Sequence, residues 1–320
     1  MILLKEYLNS NIMNIVLASD NNFVQHCAVT IVSILQNNDN VNIYLLTDNL
    51  NDENQIILSS LTQDLGGQLT IIKVPENLLD KLPMPKGLFA HISIATYYRL
   101  FMAELLPNEV KKVIYMDCDV IVRRSLKVLW ETNLTGYAIG AIYQYNEWSD
   151  KEQSWQRLNI KRDFGYFNAG VLLVNLQYWR DNDIQKMFMR FIKNNYKSIR
   201  SHDQDVLNAV LTQKTLPLRY TWNLLPWLFD DFSIWSFPYR DLLESIDDDI
   251  ENPHIVHFVN IPKPWKCGCL NPFRKEYYKY LQLTPWKSYK PKFEFVPWWE
   301  NRLYHPLMVW LGKIKRNLFK

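Results

Sequence analysis

Val113-Ile114-Tyr115-Met116 runs straight into Asp117-Cys118-Asp119. A short, unbroken apolar run of this kind reads as a strand buried on both faces. Side chains alternate along a strand, so Asp117 and Asp119 project together from its carboxyl end if the strand geometry persists. Open α/β sheets bind ligands at that end. Two carboxylates held close repel unless a cation sits between them. A divalent metal with oxygen ligands suits that gap, and such metals commonly bridge phosphates. A solvated Asp-x-Asp in a loop is the alternative, and the buried strand ahead of the pair weighs against it.

Working outward, the segments before this strand alternate. Residues 15–18 read as a strand closing on Ser19-Asp20. Phe23, Val24, Cys27, Ala28, Ile31, Val32 and Leu35 follow at helical spacing. Residues 41–46 form a second predicted strand, ending at Thr47-Asp48. A helix over 52–65 has Ile57, Leu61 and Leu65 on one face and is stopped by Gly66-Gly67. A third strand covers 69–74, and Pro75, Pro83, Pro85 and Gly87 mark a long loop. A helix over 94–106 then leads to the Asp117 strand. The order β-α-β-α-β-α-β predicts an α/β fold, a single Rossmann-like domain with a mostly parallel sheet. No Gly-x-Gly-x-x-Gly turn or Walker loop accompanies it, which counts against a dehydrogenase. Beyond 120, residues 138–143 and 171–175 read as strands of a mixed extension. A helix over 184–194 is built on Met187, Phe188, Phe191 and Ile192, and Val206, Leu207, Val210 and Leu211 mark another. Residues 255–259 form a late strand.

The 320 residues are ample for a large core. Cys27, Cys118, Cys267 and Cys269 are too few and too scattered for a disulfide framework, and Cys267-x-Cys269 lacks a second pair at zinc-ribbon spacing. No run approaches 18 apolar residues, and residues 1–4 are too short for a signal-peptide core, so the expected location is the cytoplasm. Charge is unevenly spread. Residues 261–320 carry 13 Lys/Arg against 3 Asp/Glu, a balance of +10, while residues 1–260 stand at −7. The same last 60 residues hold 14 of the 45 aromatics. Basic residues mixed with Trp and Tyr suit an anionic membrane surface, where each Lys or Arg contributes about 1 kcal/mol. Leu307, Val309, Trp310, Leu311, Ile314 and Leu318 supply apolar area there. An ordinary basic tail, or one binding nucleic acid, is the alternative. The composition shift puts the expected boundary near 265–285.

Several side chains could join the acid pair. His257 lies on the late strand, with Lys263-Pro264-Trp265 just after it. An imidazole with two carboxylates is a plausible Mn²⁺ set, and Lys263 would be a point charge for a diphosphate. His254 is the competing ligand. Asp20 could accept from a base imide with Phe23 stacked on the ring, or could simply cap the next helix. Ser201-His202-Asp203-Gln204 matches a capping box, a structural role sufficient in itself. Arg99 could be an ordinary helix-surface residue and Asn168 a turn residue.

In chain order, the motifs are residues 15–20 with Phe23, His91-Ile92-Ser93 with Tyr97 and Arg99, and Tyr115-Met116-Asp117-Cys118-Asp119. Phe167-Asn168-Ala169-Gly170-Val171, Asp203-Gln204-Asp205 and His257 with Lys263-Pro264-Trp265 follow. Together they resemble glycosyltransferase family 8, of the bacterial lipopolysaccharide galactosyl- and glucosyltransferase type, over residues 13–265. The resemblance implies a GT-A fold and transfer of galactose or glucose, with retention, from UDP-galactose or UDP-glucose to a glycan or glycolipid acceptor. It makes Asp117, Asp119 and His257 ligands of Mn²⁺, with Mg²⁺ as a substitute. Ala18, Asp20, Phe23, Arg99, Asp117, Cys118, Asp119, Asn168, Asp203 and Lys263 become donor-site residues. Gln204 lies beneath the anomeric carbon, with Asp203 beside it as the second catalytic candidate, and His91 and Gln144 face the acceptor. Because an amide is a weak nucleophile, front-face attack is expected rather than two displacements. Residues 266–320 resemble the membrane-associating tail of the lipopolysaccharide enzymes, implying a peripheral protein on the inner face of the plasma membrane that binds no nucleic acid. Two positions depart from the pattern: Asn260 replaces the usual Gly, and Gln144 stands where relatives often have Asp. A catalytically impaired UDP-sugar-binding relative and a cation-dependent sugar-nucleotide hydrolase are the alternative functions.

Overall fold

The computed structural model describes residues 12–80, 82–83, 93–144, 153–229, 240–259, 262–269, 271–291 and 314. His91, Asn260 and the apolar positions singled out along 307–318, other than Ile314, lie outside them. A seven-stranded sheet runs in the order β3-β2-β1-β4-β7-β6-β8. Its strands are β1 (Met13–Ala18), β2 (Val41–Thr47), β3 (Gln68–Lys73), β4 (Lys112–Met116), β6 (Ile139–Tyr143), β7 (Phe167–Asn175) and β8 (Thr215–Pro217). The first four of the row, β3, β2, β1 and β4, are parallel. β7 is antiparallel to both β4 and β6, and β8 lies parallel to β6. A separate two-stranded sheet pairs β5 (Val120–Val122) with β9 (Ile255–His257). The mostly parallel sheet with a mixed extension is therefore as expected, and the late strand, which ends at His257, pairs with β5 in the separate small sheet.

Apolar side chains on successive residues enter opposite layers, which is why the central strands are unbroken apolar runs. Ile15, Leu17, Ile114, Met116, Val171 and Leu173 enter one core with helix α1 (Val24–Leu35). Val16, Val113, Tyr115, Leu172 and Val174 enter the other, with α3 (Ile184–Asn195) and α4 (His202–Leu211).

Local details differ from the periodicity. In α2 (Asp52–Asp64) the buried positions are Leu58 and Thr62, one residue along from the predicted face. Residues 94–106 are not one α-helix. Ile94–Phe101 is a 3₁₀ segment, followed by one α-turn at Met102–Leu105. Residues 97–101 are all buried there, so packing on every side overrides the helical repeat. Met187 is exposed, and Ile184 takes its place on the buried face of α3. Asn168 sits inside β7 rather than in a turn. The Ser201–Gln204 capping box does not form. Instead the buried Asp205 carboxylate accepts from the backbone N–H groups of Arg200 (2.7 Å) and Ser201 (2.8 Å).

The expected boundary zone near 265–285 contains helix α5 (Arg274–Leu281), which packs on α1. Tyr277 hydroxyl meets His26 Nδ1 at 2.8 Å, and His26 stacks on Trp265 with centroids 3.5 Å apart. Asn37 Nδ2 donates to the Tyr280 hydroxyl at 3.0 Å. Among the described residues no helix is long and apolar enough to cross a membrane.

Candidate active site

Strand register builds the site. β4 ends at Met116, opposite Val171 of β7, and Asp117 N–H donates to Gly170 C=O at 2.8 Å. The chain then turns through Cys118 and Asp119 into β5. Strand geometry therefore does not persist through the acid pair. Pairing of Val120 with His257 on β9 brings the imidazole alongside Asp119, and Phe258 N–H donates to Asp119 C=O at 2.9 Å. The turn and the small sheet thus achieve what a straight strand was expected to do.

One ligand atom from each of Asp117, Asp119 and His257 lies within 4.8 Å of the others. His257 Nε2 is 3.1 Å from Asp119 Oδ1 and 3.9 Å from Asp117 Oδ2. Ligands of one ion lie about 3–4.4 Å apart for bonds near 2.2 Å, so these donors fit a single divalent cation with small adjustments. His254 is not part of the set; its Nδ1 meets Ser125 C=O at 3.0 Å. His257 Nδ1 faces Asn223 Oδ1 at 3.0 Å. That oxygen only accepts, so Nδ1 carries a proton, and Nε2 is the ring nitrogen left to meet a metal.

Gly170 is fixed by space. A Cβ there would stand 2.1 Å from His257 Cε1 and 2.8 Å from Asp117 Oδ2. Only glycine lets β7 pass this close to the acid and the imidazole.

Arg99 holds the other side. Its Nη2 donates to Asp117 Oδ1 at 2.7 Å, and its Nε lies 2.9 Å from Asp203 Oδ2. Nη1 donates to Ala169 C=O, and the guanidinium lies 4.3 Å over the Tyr115 ring. Tyr115 hydroxyl donates to Asp117 Oδ1 at 3.0 Å. Arg99 is therefore a buried hub, not a helix-surface residue. Burial opposes its charge, but Asp117 and Asp203 outweigh that and hold its pKa above the ordinary value. Thr96 hydroxyl donates to Asp203 Oδ1. Burial dominates at Asp203 and pushes its pKa up to about 6, against the pull of Arg99.

Burial also opposes the charge of Asp119, but Lys263 and His257 overcome it and keep this carboxyl well below the usual range. Lys263 Nζ donates to Asp119 Oδ2 at 2.6 Å and to the carbonyls of Phe258 (2.6 Å) and Val259 (2.9 Å). Cys118 Sγ donates to Ala18 C=O at 3.3 Å, tying the acid pair to the end of β1. Asp20 Oδ1 accepts from Asn22 N–H (2.9 Å) and Phe23 N–H (3.0 Å), a turn closed by its own side chain ahead of α1. The helix itself has Phe23 at its start and no side-chain cap, and one carboxylate oxygen of Asp20 is already used. Phe23 packs edge-on against His26 and Trp265.

An amide chain closes the floor. Gln204 Oε1 accepts from Ala169 N–H (3.0 Å) and Asn168 Nδ2 (3.3 Å), and Gln204 Nε2 donates to Tyr166 hydroxyl at 3.2 Å. Tyr166 hydroxyl donates to Asp205 Oδ1 at 2.8 Å, and burial with that neighbouring carboxylate keeps the phenol protonated. Asn168 Nδ2 also donates to Gln144 Oε1 at 3.1 Å. Arg99, Asp117, Asn168, Asp203 and Gln204 therefore belong to one connected network, with Gln144 on its margin. Tyr166, Gly170 and Asn223 were not singled out for these roles from the sequence. Asn223 had one readable signal, a polar residue beside the apolar pair Leu224-Leu225.

An α/β sheet of this order, with an acid pair and an imidazole at the end of a central strand, has the GT-A architecture. It is shared with galactosyltransferase LgtC, solved in complex with donor and acceptor sugar analogs. That likeness has a TM-score of 0.75 and 26% identity, covering 91% of this chain and 100% of LgtC. Residues 14–268 match the pattern of Glycosyl transferase family 8; the chain belongs to that family and is a glycosyltransferase. It is 28% identical over 285 residues to General stress protein A of Bacillus subtilis, covering 87% of this chain and 96% of that protein. It is 26% identical over 287 residues to lipopolysaccharide 1,2-glucosyltransferase of Escherichia coli, covering 88% and 81%.

Proposed function

We propose that this glycosyltransferase moves galactose or glucose from a UDP-sugar to a glycan or glycolipid acceptor of lipopolysaccharide type, with retention at the anomeric carbon. The observation that carries this reading is the convergence of Asp117, Asp119 and His257 within 4.8 Å at the carboxyl end of β4. These residues would hold Mn²⁺, with Mg²⁺ as a substitute. Held there, a divalent ion would supply positive charge against the departing diphosphate. Lys263, tethered to Asp119, supplies a second positive charge to the same leaving group. Arg99 and Asp203 hold the sugar hydroxyls, with Asn168 and Ala169 beside them. Ala18, Asp20, Phe23 and Cys118 border the nucleoside end.

In the transfer, the bond from the anomeric carbon to the diphosphate oxygen breaks. The acceptor hydroxyl oxygen bonds to that carbon on the same face, and its proton passes to the leaving diphosphate. Gln204 presents a carbonyl oxygen pinned by Ala169 N–H, which suits stabilising a cationic ring better than attacking it. Asp203 is engaged by Arg99 and Thr96, which also argues against a covalent intermediate there. His91 and Gln144 would meet the acceptor. The donor choice rests on relatives named for a glucosyl- and a galactosyltransferase. The basic, aromatic residues 266–320 would hold the enzyme on an anionic membrane face, keeping it near a lipid-linked acceptor.

The deciding experiment incubates the protein with Mn²⁺ and each UDP-sugar, with and without truncated lipopolysaccharide cores, and reads UDP release and product stereochemistry by NMR. Transfer from UDP-galactose or UDP-glucose with an α-linked product supports the reading. An inverted product, or UDP release that no acceptor accelerates, contradicts it.

A further inference from the structure

The geometry points to Asn223 as a positioning residue that sets the tautomer of His257 and joins the metal site to the sugar site; this rests on the metal-site reading above. Asn223 is fully buried. Its backbone lies just before Leu224, which bridges to Val256 of β9. Leu224 N–H donates to Ile255 C=O at 2.9 Å, and His257 N–H donates to Leu224 C=O at 3.0 Å. The segment thus runs alongside β9 as a third strand-like line and brings Asn223 beside the imidazole.

The two ends of the amide do different work. Oδ1 takes the Nδ1 proton of His257 at 3.0 Å, and Nδ2 donates to Asn168 Oδ1 at 2.9 Å. Asn168 cannot turn its amide over to compensate. Its Oδ1 also accepts from Gly170 N–H at 2.9 Å, and its Nδ2 donates to Gln144 and Gln204. A flip would set amide hydrogens against Gly170 N–H and oxygen against two carbonyl oxygens. The amide of Asn223 is therefore locked, and so is the imidazole ring it holds. Nδ1–H faces Asn223, and Nε2 faces the carboxylates. One buried amide consequently orients a metal ligand at one end and the Asn168–Gln204 pair at the other.

Two substitutions separate the two ends. Asn223→Ala removes both. Asn223→Asp keeps an acceptor for Nδ1–H but sets a carboxylate oxygen against Asn168 Oδ1. Affinity for Mn²⁺ alone is read by electron paramagnetic resonance, which follows the free ion without any turnover, with circular dichroism and melting as checks on folding. Loss of an outer-shell partner of a metal-bound histidine typically weakens metal binding about 10–100-fold. Asn223→Ala is expected to lose Mn²⁺ affinity in that range and transfer activity with it. Asn223→Asp is expected to bind Mn²⁺ within about threefold of the wild type, a shift far below that outer-shell loss, yet to transfer sugar much more slowly. A merely structural residue would lower the melting temperature of both variants without splitting metal affinity from transfer. A folded Asn223→Ala that binds Mn²⁺ as tightly as the wild type overturns the inference and leaves the metal site standing. If Asn223→Ala does not fold, Asn223→Asp decides: loss of its Mn²⁺ binding, or full transfer activity, overturns the inference. A wild-type protein that binds no Mn²⁺ overturns the metal-site reading and this inference together.

Discussion

Gly170→Ala adds a single methyl group, and the structure says where it goes. The new carbon would lie 2.1 Å from His257 Cε1 and 2.8 Å from Asp117 Oδ2. Two carbons rest comfortably at about 3.5–4.0 Å, so the imidazole must retreat by roughly 1.4 Å or more. It has little freedom to do so. Its Nδ1 is held by Asn223, and its backbone is paired with Val120. The backbone of residue 170 is equally fixed, because its carbonyl accepts Asp117 N–H at 2.8 Å. Metal sites keep their donor distances to within about 0.2 Å, so the displacement is several times the tolerance. Overpacking of this kind costs about 1–3 kcal/mol of stability. At about 2–4 °C per kcal/mol for a domain of this size, the melting temperature should fall by roughly 2–12 °C. Mn²⁺ affinity should fall by about tenfold or more, comparable to loss of a metal site's supporting partner. Thermal melts with an electron paramagnetic resonance titration read both. A Gly170→Ala protein that melts with the wild type and binds Mn²⁺ unchanged would refute the close packing of β7 against the acid and the imidazole.

Other consequences are as direct. Arg99→Lys keeps the charge but loses the fork that joins Asp117, Asp203 and Ala169. Removing one partner from such a buried pair costs about 3–5 kcal/mol, so urea unfolding should show a loss approaching that range; a loss under about 0.5 kcal/mol, the usual size for an unimportant surface change, would contradict the hub. Burial raises the Asp203 pKa to about 6 in the folded chain, against about 3.9 when unfolded. The unfolded state therefore releases this proton first, and the group costs stability as pH rises from about 4 through 6. Asn at 203 does not titrate, so the metal-free Asp203→Asn variant should gain on the wild type across that window; a melting difference independent of pH would contradict it. His26 works the other way. Burial pushes its pKa down to about 3, below the unfolded value near 6.5, so its contribution is complete above about 6.5 and is lost as pH falls toward 3. His26→Phe should reduce acid sensitivity in melts over that range, and an unchanged pH profile would count against a neutral, buried His26.

Much of the sheet was readable because burial on two faces leaves a plain mark in the residues. Val113 to Met116 could hardly be anything but a central strand, and Asp117 and Asp119 at its end marked two of the three residues of the candidate metal site. What the residues concealed came from tertiary contact. The 3₁₀ course of Ile94–Phe101 is set by packing on all sides, which no single period encodes. Met187 carries the same apolar signal as Phe188, yet it faces solvent because α3 presents Ile184, Phe188 and Ile192 inward. Ser201 and Gln204 have capping-box spacing, but the buried carboxylate of Asp205 takes the backbone N–H groups of Arg200 and Ser201 just ahead of the helix, and the Gln204 side chain turns to the site instead. Gly170 and Asn223 act through neighbours more than 30 residues away. Spacing along the chain carries no trace of such partners, whereas the six motifs taken in order did reveal the family.

The central claim is that one divalent ion, gripped by Asp117, Asp119 and His257, anchors the diphosphate of the donor. Calorimetric titration of UDP tests it most directly, using the wild type and Asp119→Asn, each with Mn²⁺ and with a chelator. The account predicts UDP binding by the wild type with Mn²⁺ and a collapse of that binding in chelator or in Asp119→Asn. UDP binding of equal strength in all four conditions would contradict it.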